Sequence, residues 1–266
     1  MVSGVLIDID GVLAVSWNPL PGAAECLRWL REEGIPFQLV TNTSTRSRRE
    51  IAQTFGDAGM PVDTTRISTA VSSATQYLTH RYAQTQCLVI NDGPLDEDLV
   101  GVARTLDARS AGIVLLGAAG PGVGYRDLDA VFKLALDGVP VVALHRNTRY
   151  QTEEGPALDM GAFILGLEAA AGIEIPVLGK PSEAFFGTAL GEIGVRAEDA
   201  LMVGDDIDSD VRGAQAVRIT GVLVRTGKFL SRDLSTPGPP PDHVIESVGG
   251  LPELLDSLGT GRSPLA

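Results

Sequence analysis

Basic charge is scarce in this chain: 21 Lys and Arg stand against 34 Asp and Glu, a formal net charge of −13. An acidic surface repels polyanions, so nucleic acid and anionic membrane are excluded as broad docking partners. A small anionic substrate then needs a local basic pocket. Cysteine is nearly absent, and two residues, Cys26 and Cys87, make no disulfide framework. Neither has a His or Asp beside it that would favour a reactive or metal-binding thiolate. Both read as core residues, a usage that fits a cytoplasmic location. No charged segment followed by an apolar stretch opens the chain, so no signal peptide is expected. The longest weakly polar run, 160–173, is broken by Glu168 and is too short to span a bilayer. It is expected to be a buried helix. Two nucleotide-binding loops are also missing. Gly179-Lys180 and Gly227-Lys228 lack both the earlier glycine and the following Ser or Thr of a Walker A loop, and Pro121 interrupts the glycines of 117–124, which do not have GxGxxG spacing.

What the chain does have is 266 residues with 44% hydrophobic and 21% charged content, enough for one large core or two domains. It opens with an apolar run, Val5-Leu6-Ile7, that delivers Asp8 and Asp10 to a turn at Gly11. An unbroken apolar run of this kind suits a strand buried on both faces of a parallel sheet. In extended backbone the two carboxylates share a side, and like charges that close repel unless a cation or a shared proton lies between them. The pair is either the start of a surface turn or a site for a hard divalent cation at a strand's carboxyl end.

Order along the chain supports the second reading. A helix from about Pro21, a strand at 37–40 and a helix to about Gly59 form a βαβα opening, which implies a parallel sheet with a crevice at its carboxyl ends. Thr41-Asn42-Thr43-Ser44-Thr45-Arg46 lands in that crevice. Its hydroxyls and amides suit both helix capping and anion binding. A helix at 69–82 leads into a second α/β unit, with apolar runs at 87–90, 112–116 and 139–144 and helical segments near 95–104 and 125–137. His145, Arg146, Arg149 and Tyr150 follow the third run and are either surface features or substrate readers. From about Val177 the first unit resumes. Lys180, one of three lysines, follows Gly179 and precedes Pro181 and a helix at 182–194. A second apolar strand, 200–204, then ends in Asp205, Asp206, Asp208 and Asp210. Asp206 and Asp210, four apart, would repel on one helix face, and a nearby cation would relieve them. The strand 219–224, a Pro-rich loop at 237–241, a last helix at 247–258 and a frayed tail from Gly259 complete the expectation.

Asp8-Ile9-Asp10-Gly11-Val12-Leu13, Thr41-Asn42, Gly179-Lys180-Pro181 and Gly204-Asp205-Asp206 with Asp210 together resemble, in order and spacing, the haloacid dehalogenase superfamily of phosphotransferases. An α/β insertion between the second and third motifs is similar to the class IIA cap subfamily. Within it, His145, Arg149-Tyr150, Gly161-Ala162-Phe163 and Thr226-Gly227-Lys228 resemble the group of phospholysine phosphohistidine inorganic pyrophosphate phosphatases and their relatives.

The resemblance implies an α/β fold, a Rossmann-like parallel-sheet core with an inserted α/β cap, divided as core 1–76, cap 77–176 and core 177–266. It implies a Mg2+-dependent phosphatase of small phosphorylated compounds, with an Asp8 aspartyl-phosphate intermediate and Asp10 as acid and base. Thr41, Asn42 and Lys180 would bind phosphate. Asp8, the Asp10 main-chain carbonyl and Asp205 would hold the metal, with Asp206 or Asp210 orienting that shell. His145 and Arg149 would contact substrate. Asp10 points to phosphate rather than halide chemistry, because halide leaves unprotonated. A phosphotransferase or phosphomutase using the same intermediate, or a silent binding protein of the same fold, is the alternative, and the subfamily allows a homodimer.

Overall fold

The computed structural model describes residues 1–152 and 155–259; the expected tail lies, from residue 260 on, outside the described residues. By its contacts the chain divides into two compact units, one of Met1–Thr41, Arg48–Ser68 and Lys180–Ala266, the other of Asn42–Ser47 and Thr69–Gly179.

In chain order the first unit begins with β1 (Gly4–Asp8), α1 (Ala23–Glu32), β2 (Phe37–Thr41), α2 (Arg48–Asp57) and a short β3 (Ile67–Thr69). Between β1 and α1 a two-residue-per-strand hairpin pairs Ala14–Val15 with Asn18–Pro19. The second unit then takes α3 (Ala70–Arg81), β4 (Cys87–Ile90), a two-residue β5 (Arg104–Thr105), β6 (Ile113–Leu116), α4 (Tyr125–Leu136), β7 (Val141–Ala143) and α5 (Met160–Ala171). The chain returns to the first unit with α6 (Glu183–Ile193), β8 (Ala200–Gly204), a helical stretch over Ile207–Arg212 and Gly213–Ala216, β9 (Thr220–Val224), β10 (His243–Ile245) and α7 (Leu251–Leu258).

The first unit is built on a six-stranded sheet of order β10-β9-β8-β1-β2-β3, parallel at every pairing from β10 to β2. Its central strand is β1, whose five residues are all buried, as the apolar run requires. Register places Ile7 beside Val203 and Asp8 beside Val40. Side-chain alternation then divides the core in two. Val5, Ile7, Leu39, Val203 and Val222 face α1, α2 and α7 through Leu27, Leu30, Ile51, Phe55, Leu251 and Leu255. Leu6, Val40 and Met202 face α6 through Phe185, Phe186 and Ala189. Each such large side chain contributes about 1.5–3 kcal/mol on burial. Gly194 caps α6 in the left-handed region at the end the sequence predicts, and Gly172 caps α5 in the same way, just inside the expected run of 160–173.

The second unit repeats the architecture at smaller scale, with a four-stranded sheet of order β5-β4-β6-β7, parallel throughout. Ile113, Leu115 and Val142 point to α3, and Val114, Leu116 and Ala143 to α4 and α5. Two expectations are corrected here. Residues 95–104 are not a helix. Leu95 and Leu99 are buried and make one turn through the Leu99 N–H and Leu95 carbonyl, but Gly101 at φ 84° ends it and Arg104–Thr105 pairs with β4 instead. The run 160–173 is a helix buried on one side only: Met160, Ile164 and Leu167 enter the core while Leu165 is 54% exposed. Short strands such as β3 and β10 are too brief for a period to show in sequence.

Candidate active site

The carboxyl ends of β1 and β8 are neighbours because the two strands pair directly, so the Asp clusters that follow them meet. Asp8, Asp205 and Asp210 each offer an oxygen within 4.8 Å of the others, and all three are buried. Lys180 lies between two of them, with Nζ 2.5 Å from Asp8 Oδ1 and 2.7 Å from Asp210 Oδ1. Its ammonium, 4% exposed, is where a compact charge must meet several oxygens. Asp206 does not repel Asp210 across a helix face. It caps the stretch at 207–212, accepting from the N–H groups of Asp208 and Ser209, and its own N–H donates to Asp210 Oδ2 at 3.2 Å. The relief expected from a cation comes first from Lys180.

A second loop closes over Asp205. The Lys228 N–H donates to Asp205 Oδ2 at 2.7 Å, Thr226 Oγ1 donates to the Gly11 carbonyl at 2.5 Å, and Lys228 Nζ is 3.5 Å from Asp206 Oδ2. Gly11, at φ 84°, and Gly227, at φ 63°, are required by this approach. A Cβ on either would come 1.9 or 2.1 Å from Asp205 Oδ2. Gly204 is constrained likewise, since a Cβ there would meet Asp210 at 2.2 Å. The sequence singles out Thr226-Gly227-Lys228 only through its resemblance; the part these residues play around Asp205 emerges from the fold.

Electrostatics divide the acids. Burial holds the Asp8 carboxyl well above the usual carboxylate range; Lys180 pulls it back while Asp210 and Asp205 add to the rise. Asp205 is pushed up to about 7, by burial first and Asp210 second. Burial likewise raises Asp10 against the opposing pull of Lys228 and Lys180. Asp206 goes the other way: burial raises it, but the N–H groups of Ser209 and Asp208 together with Lys228 and Lys180 bring it below the usual value. Burial would lower Lys180 and Lys228, and the surrounding carboxylates outweigh it in both. In the metal-free protein, therefore, burial works against the ionised forms of Asp8 and Asp205, and Lys180 is the cation that opposes it at Asp8.

The trio fits a hard divalent cation. Asp205 Oδ1 is buried and receives no hydrogen bond, and an unbonded buried carboxylate oxygen is costly without a counter-charge. All the donors are carboxylate oxygens, the set preferred by Mg2+. Asp10 stands outside this trio by its side chain, and Asp210 stands within it.

Thr41 ends β2, next to β1, and is buried. Asn42, the next residue, belongs to the second unit, where its Oδ1 lies against Gly179, so that a Cβ there would come within 2.5 Å. His145, at the end of β7, is 3% exposed. Its Nε2 lies 3.4 Å from Ser44 Oγ, its Nδ1 accepts from the Asn147 N–H at 3.3 Å, and Asp159 Oδ2 is 3.9 Å from Nδ1. Burial lowers its pKa, with Asp159 opposing. An accepting Nδ1 leaves Nε2 as the protonated nitrogen of a neutral ring, which donates to Ser44. Ser44, His145 and Asp159 border a cavity of about 320 Å³ in the second unit. Arg149 is exposed on the hairpin of Arg149–Thr152 with Gly155–Leu158; Tyr150, not Arg149, lines the cavity. Asn91 and Asp92, which the sequence reading passes over, end β4 there in an Asn-Asp-Gly turn like the one after β1.

Residues 5–103 match the family described as haloacid dehalogenase-like hydrolase, and residues 177–251 a second model described as HAD-hydrolase-like. Haloacid dehalogenase-like hydrolase domain-containing protein 2 of Rattus norvegicus is 34% identical over 97% of this chain and 96% of its own. This chain belongs to the haloacid dehalogenase-like hydrolase family. Phospholysine phosphohistidine inorganic pyrophosphate phosphatase of Rattus norvegicus is 32% identical over 96% of this chain and 94% of its own. Among solved structures, a p-nitrophenyl phosphatase from Archaeoglobus fulgidus superposes with TM-score 0.89 at 29% identity, covering 95% of this chain and 99% of that one. The second unit thus takes the place of the family's cap, inserted into the parallel-sheet core.

Proposed function

We propose that this hydrolase is a Mg2+-dependent phosphatase that cleaves small phosphate monoesters through an aspartyl-phosphate intermediate. The observation that carries the reading is Lys180, held between Asp8 and Asp210 at the end of the central strand: a fixed ammonium beside a carboxylate nucleophile is what in-line attack on a phosphoryl group needs. The relatives named for phosphatase activity support it.

Asp8 attacks phosphorus, forming a P–O bond to its carboxylate as the bond to the leaving oxygen breaks. Asp10, whose pKa burial raises, protonates that oxygen and later takes a proton from the water that hydrolyses the acyl phosphate. Lys180, with Thr41 and Asn42 at the end of β2, holds the equatorial oxygens as charge spreads over them. Asp8, Asp205 and the Asp10 main-chain carbonyl would hold Mg2+, with Asp210 and Asp206 supporting that shell; bound there, the ion supplies positive charge that brings the nucleophile and phosphoryl group together. His145, with Tyr150, lines the strand-end cavity of the cap.

The test is hydrolysis of p-nitrophenyl phosphate by wild type and Asp8→Asn, with Mg2+ and with EDTA. Wild type with Mg2+ is expected to be active and the other combinations silent. Full turnover by the variant, or in EDTA, would sink the reading.

A further inference from the structure

Asp205 presents its two oxygens unequally, and the loop after β9 makes the difference. Oδ2 accepts from the Lys228 N–H at 2.7 Å. Glycine backbone walls it in on two sides: a Cβ on Gly11 would stand 1.9 Å from it, and a Cβ on Gly227 2.1 Å. The two glycines also face each other, since that Gly227 Cβ would come 2.4 Å from the Gly11 Cα. The space around Oδ2 is therefore filled by backbone. Oδ1 is buried and accepts no hydrogen bond among the described residues, which leaves it as the oxygen for a cation.

The loop is itself tied down. Thr226 Oγ1 donates to the Gly11 carbonyl at 2.5 Å, joining the loop to the turn that carries Asp8 and Asp10. The Phe229 N–H donates back to the Thr226 carbonyl at 3.3 Å, and the Phe229 side chain packs against Ile207, Val211 and Leu223. The Lys228 side chain is 61% exposed and its Nζ lies 3.5 Å from Asp206. Asp205 is thus held by the main chain of Lys228, which Thr226 and Phe229 fix from either side. All of these residues belong to the first unit.

We infer that Thr226 is a positioning residue which, through Gly227 and Lys228, makes Asp205 a one-oxygen ligand and so biases the site to Mg2+ over Ca2+. The inference rests on the metal site of the phosphatase reading. Mg2+ demands near-octahedral order, whereas Ca2+ takes more oxygens and accepts both from one carboxylate. A carboxylate with one oxygen walled in does not supply that second donor. Without the Thr226 hydroxyl the loop is free to draw away from Gly11, and Oδ2 then loses its N–H partner and gains room. Asp205 can then turn both oxygens toward a larger ion.

Isothermal titration of the whole protein with Mg2+ alone and with Ca2+ alone reads the selectivity without any turnover. Wild type is expected to bind Mg2+ about tenfold more tightly than Ca2+. Thr226→Val keeps the shape and drops the hydroxyl; it is expected to weaken Mg2+ about tenfold while Ca2+ changes by less than about threefold, so that the gap closes. Thr226→Ser keeps the hydroxyl and should restore it. A threonine that served folding alone would lower the stability of Thr226→Val and leave the ratio of the two affinities as in wild type. That ratio in Thr226→Val overturns the inference, and so does a Thr226→Ser protein no more selective than Thr226→Val. Equal affinities for the two ions in wild type overturn it whether or not Thr226→Val folds. p-Nitrophenyl phosphate separates the two claims. Turnover with Mg2+ by a wild type that does not prefer Mg2+ removes the inference alone. No turnover with the preference intact removes the phosphatase activity and leaves the role of Thr226 standing, and no binding of either ion removes both.

Discussion

The two units solve one topological problem with different charge partners. Each is a parallel sheet whose strands end in an Asp-Gly turn, Asp8-Ile9-Asp10-Gly11 after β1 and Asn91-Asp92-Gly93 after β4. In the first unit the acids are buried and face cations: Lys180 spans Asp8 and Asp210, and Lys228 covers Asp205 and Asp206. In the cap the acids face hydroxyls and a neutral imidazole. Fold topology places a crevice in both; the lysines decide what each can do. In one crevice an ammonium is fixed among carboxylates, and in the other the carboxylates have no lysine beside them among the described lining residues.

The strongest way to break that comparison is to neutralise one acid in each crevice. Asp8→Asn is expected to lower kcat by at least about 10³-fold, since a removed nucleophile is not replaced by the groups around it. The corresponding change in the cap, Asp92→Asn, removes an acid that no lysine faces among the described lining residues and is expected to leave kcat within about threefold of wild type. Steady-state kinetics on p-nitrophenyl phosphate distinguishes the two. An Asp8 variant that merely shifts substrate preference would show the division of labour to be wrong.

Next in size is Lys180→Met. The variant leaves Asp8 and Asp210 buried without their shared counter-charge, and breaking a buried pair in this way costs about 3–5 kcal/mol. Chemical denaturation in EDTA measures it. The carboxylates can recover part of the loss by holding protons, so the variant should be less destabilised at low pH than near neutrality.

Metal removal gives the third test, and its sign follows from Asp205. Its pKa in the fold, about 7, lies above its unfolded value. Between about pH 4 and about 7 the folded metal-free protein therefore holds a proton that the unfolded chain has released, and stability must fall as pH rises through that window. Burial shifts Asp8 in the same direction. Mg2+ competes with those protons, so its affinity should rise over the same range, with proton release visible by calorimetry in two buffers of different ionisation heat. Asp205→Asn should flatten the stability profile in EDTA and abolish the thermal shift produced by Mg2+. Mg2+ binding that is indifferent to pH from about 5.5 to about 8 would contradict this account of the trio.

Much of this was legible in the residue order, for a physical reason. A strand buried on both faces is a continuous apolar run, so β1 and β8 stand out, and the polar residues that end them must be at the crevice. That logic put Asp8, Asp205 and Thr41 at strand ends, where the structure has them, while Lys180 stood out as one of three lysines and through the resemblance. It could not rank Asp206 against Asp210, because a backbone capping role and a salt bridge to Lys180 look alike at a spacing of four. It missed the part Lys228 plays, whose N–H reaches Asp205 only because Gly11 and Gly227 allow close approach. In the cap it selected His145 and Arg149, while Asn91, Asp92 and Asp159 went unremarked. Asp159 caps a helix and Asn91 braces two loops, jobs that any Asn or Asp near a turn could hold. The turn after β4 carried the same signal as the turn after β1, without a second acid to make it conspicuous.

The smallest effect belongs to the third lysine, and it tests whether environment rather than residue type sets the scale. Lys133 pairs with Asp129 four residues earlier on α4, at 2.6 Å, a shorter contact than Lys180 makes with Asp210. Distance alone would rank it the stronger pair. Lys133 is 69% exposed by its side chain, however, so water and salt screen the charge on both sides, and the unfolded chain loses little by hydrating it. Exposed pairs at this spacing contribute little beside a buried one. Lys133→Met should therefore shift the denaturation midpoint by an amount about tenfold smaller than Lys180→Met, with the shift vanishing in high salt. Equal costs for the two variants would mean that the burial of Lys180 between two carboxylates does not set it apart, and the contrast between the crevices would then need another cause.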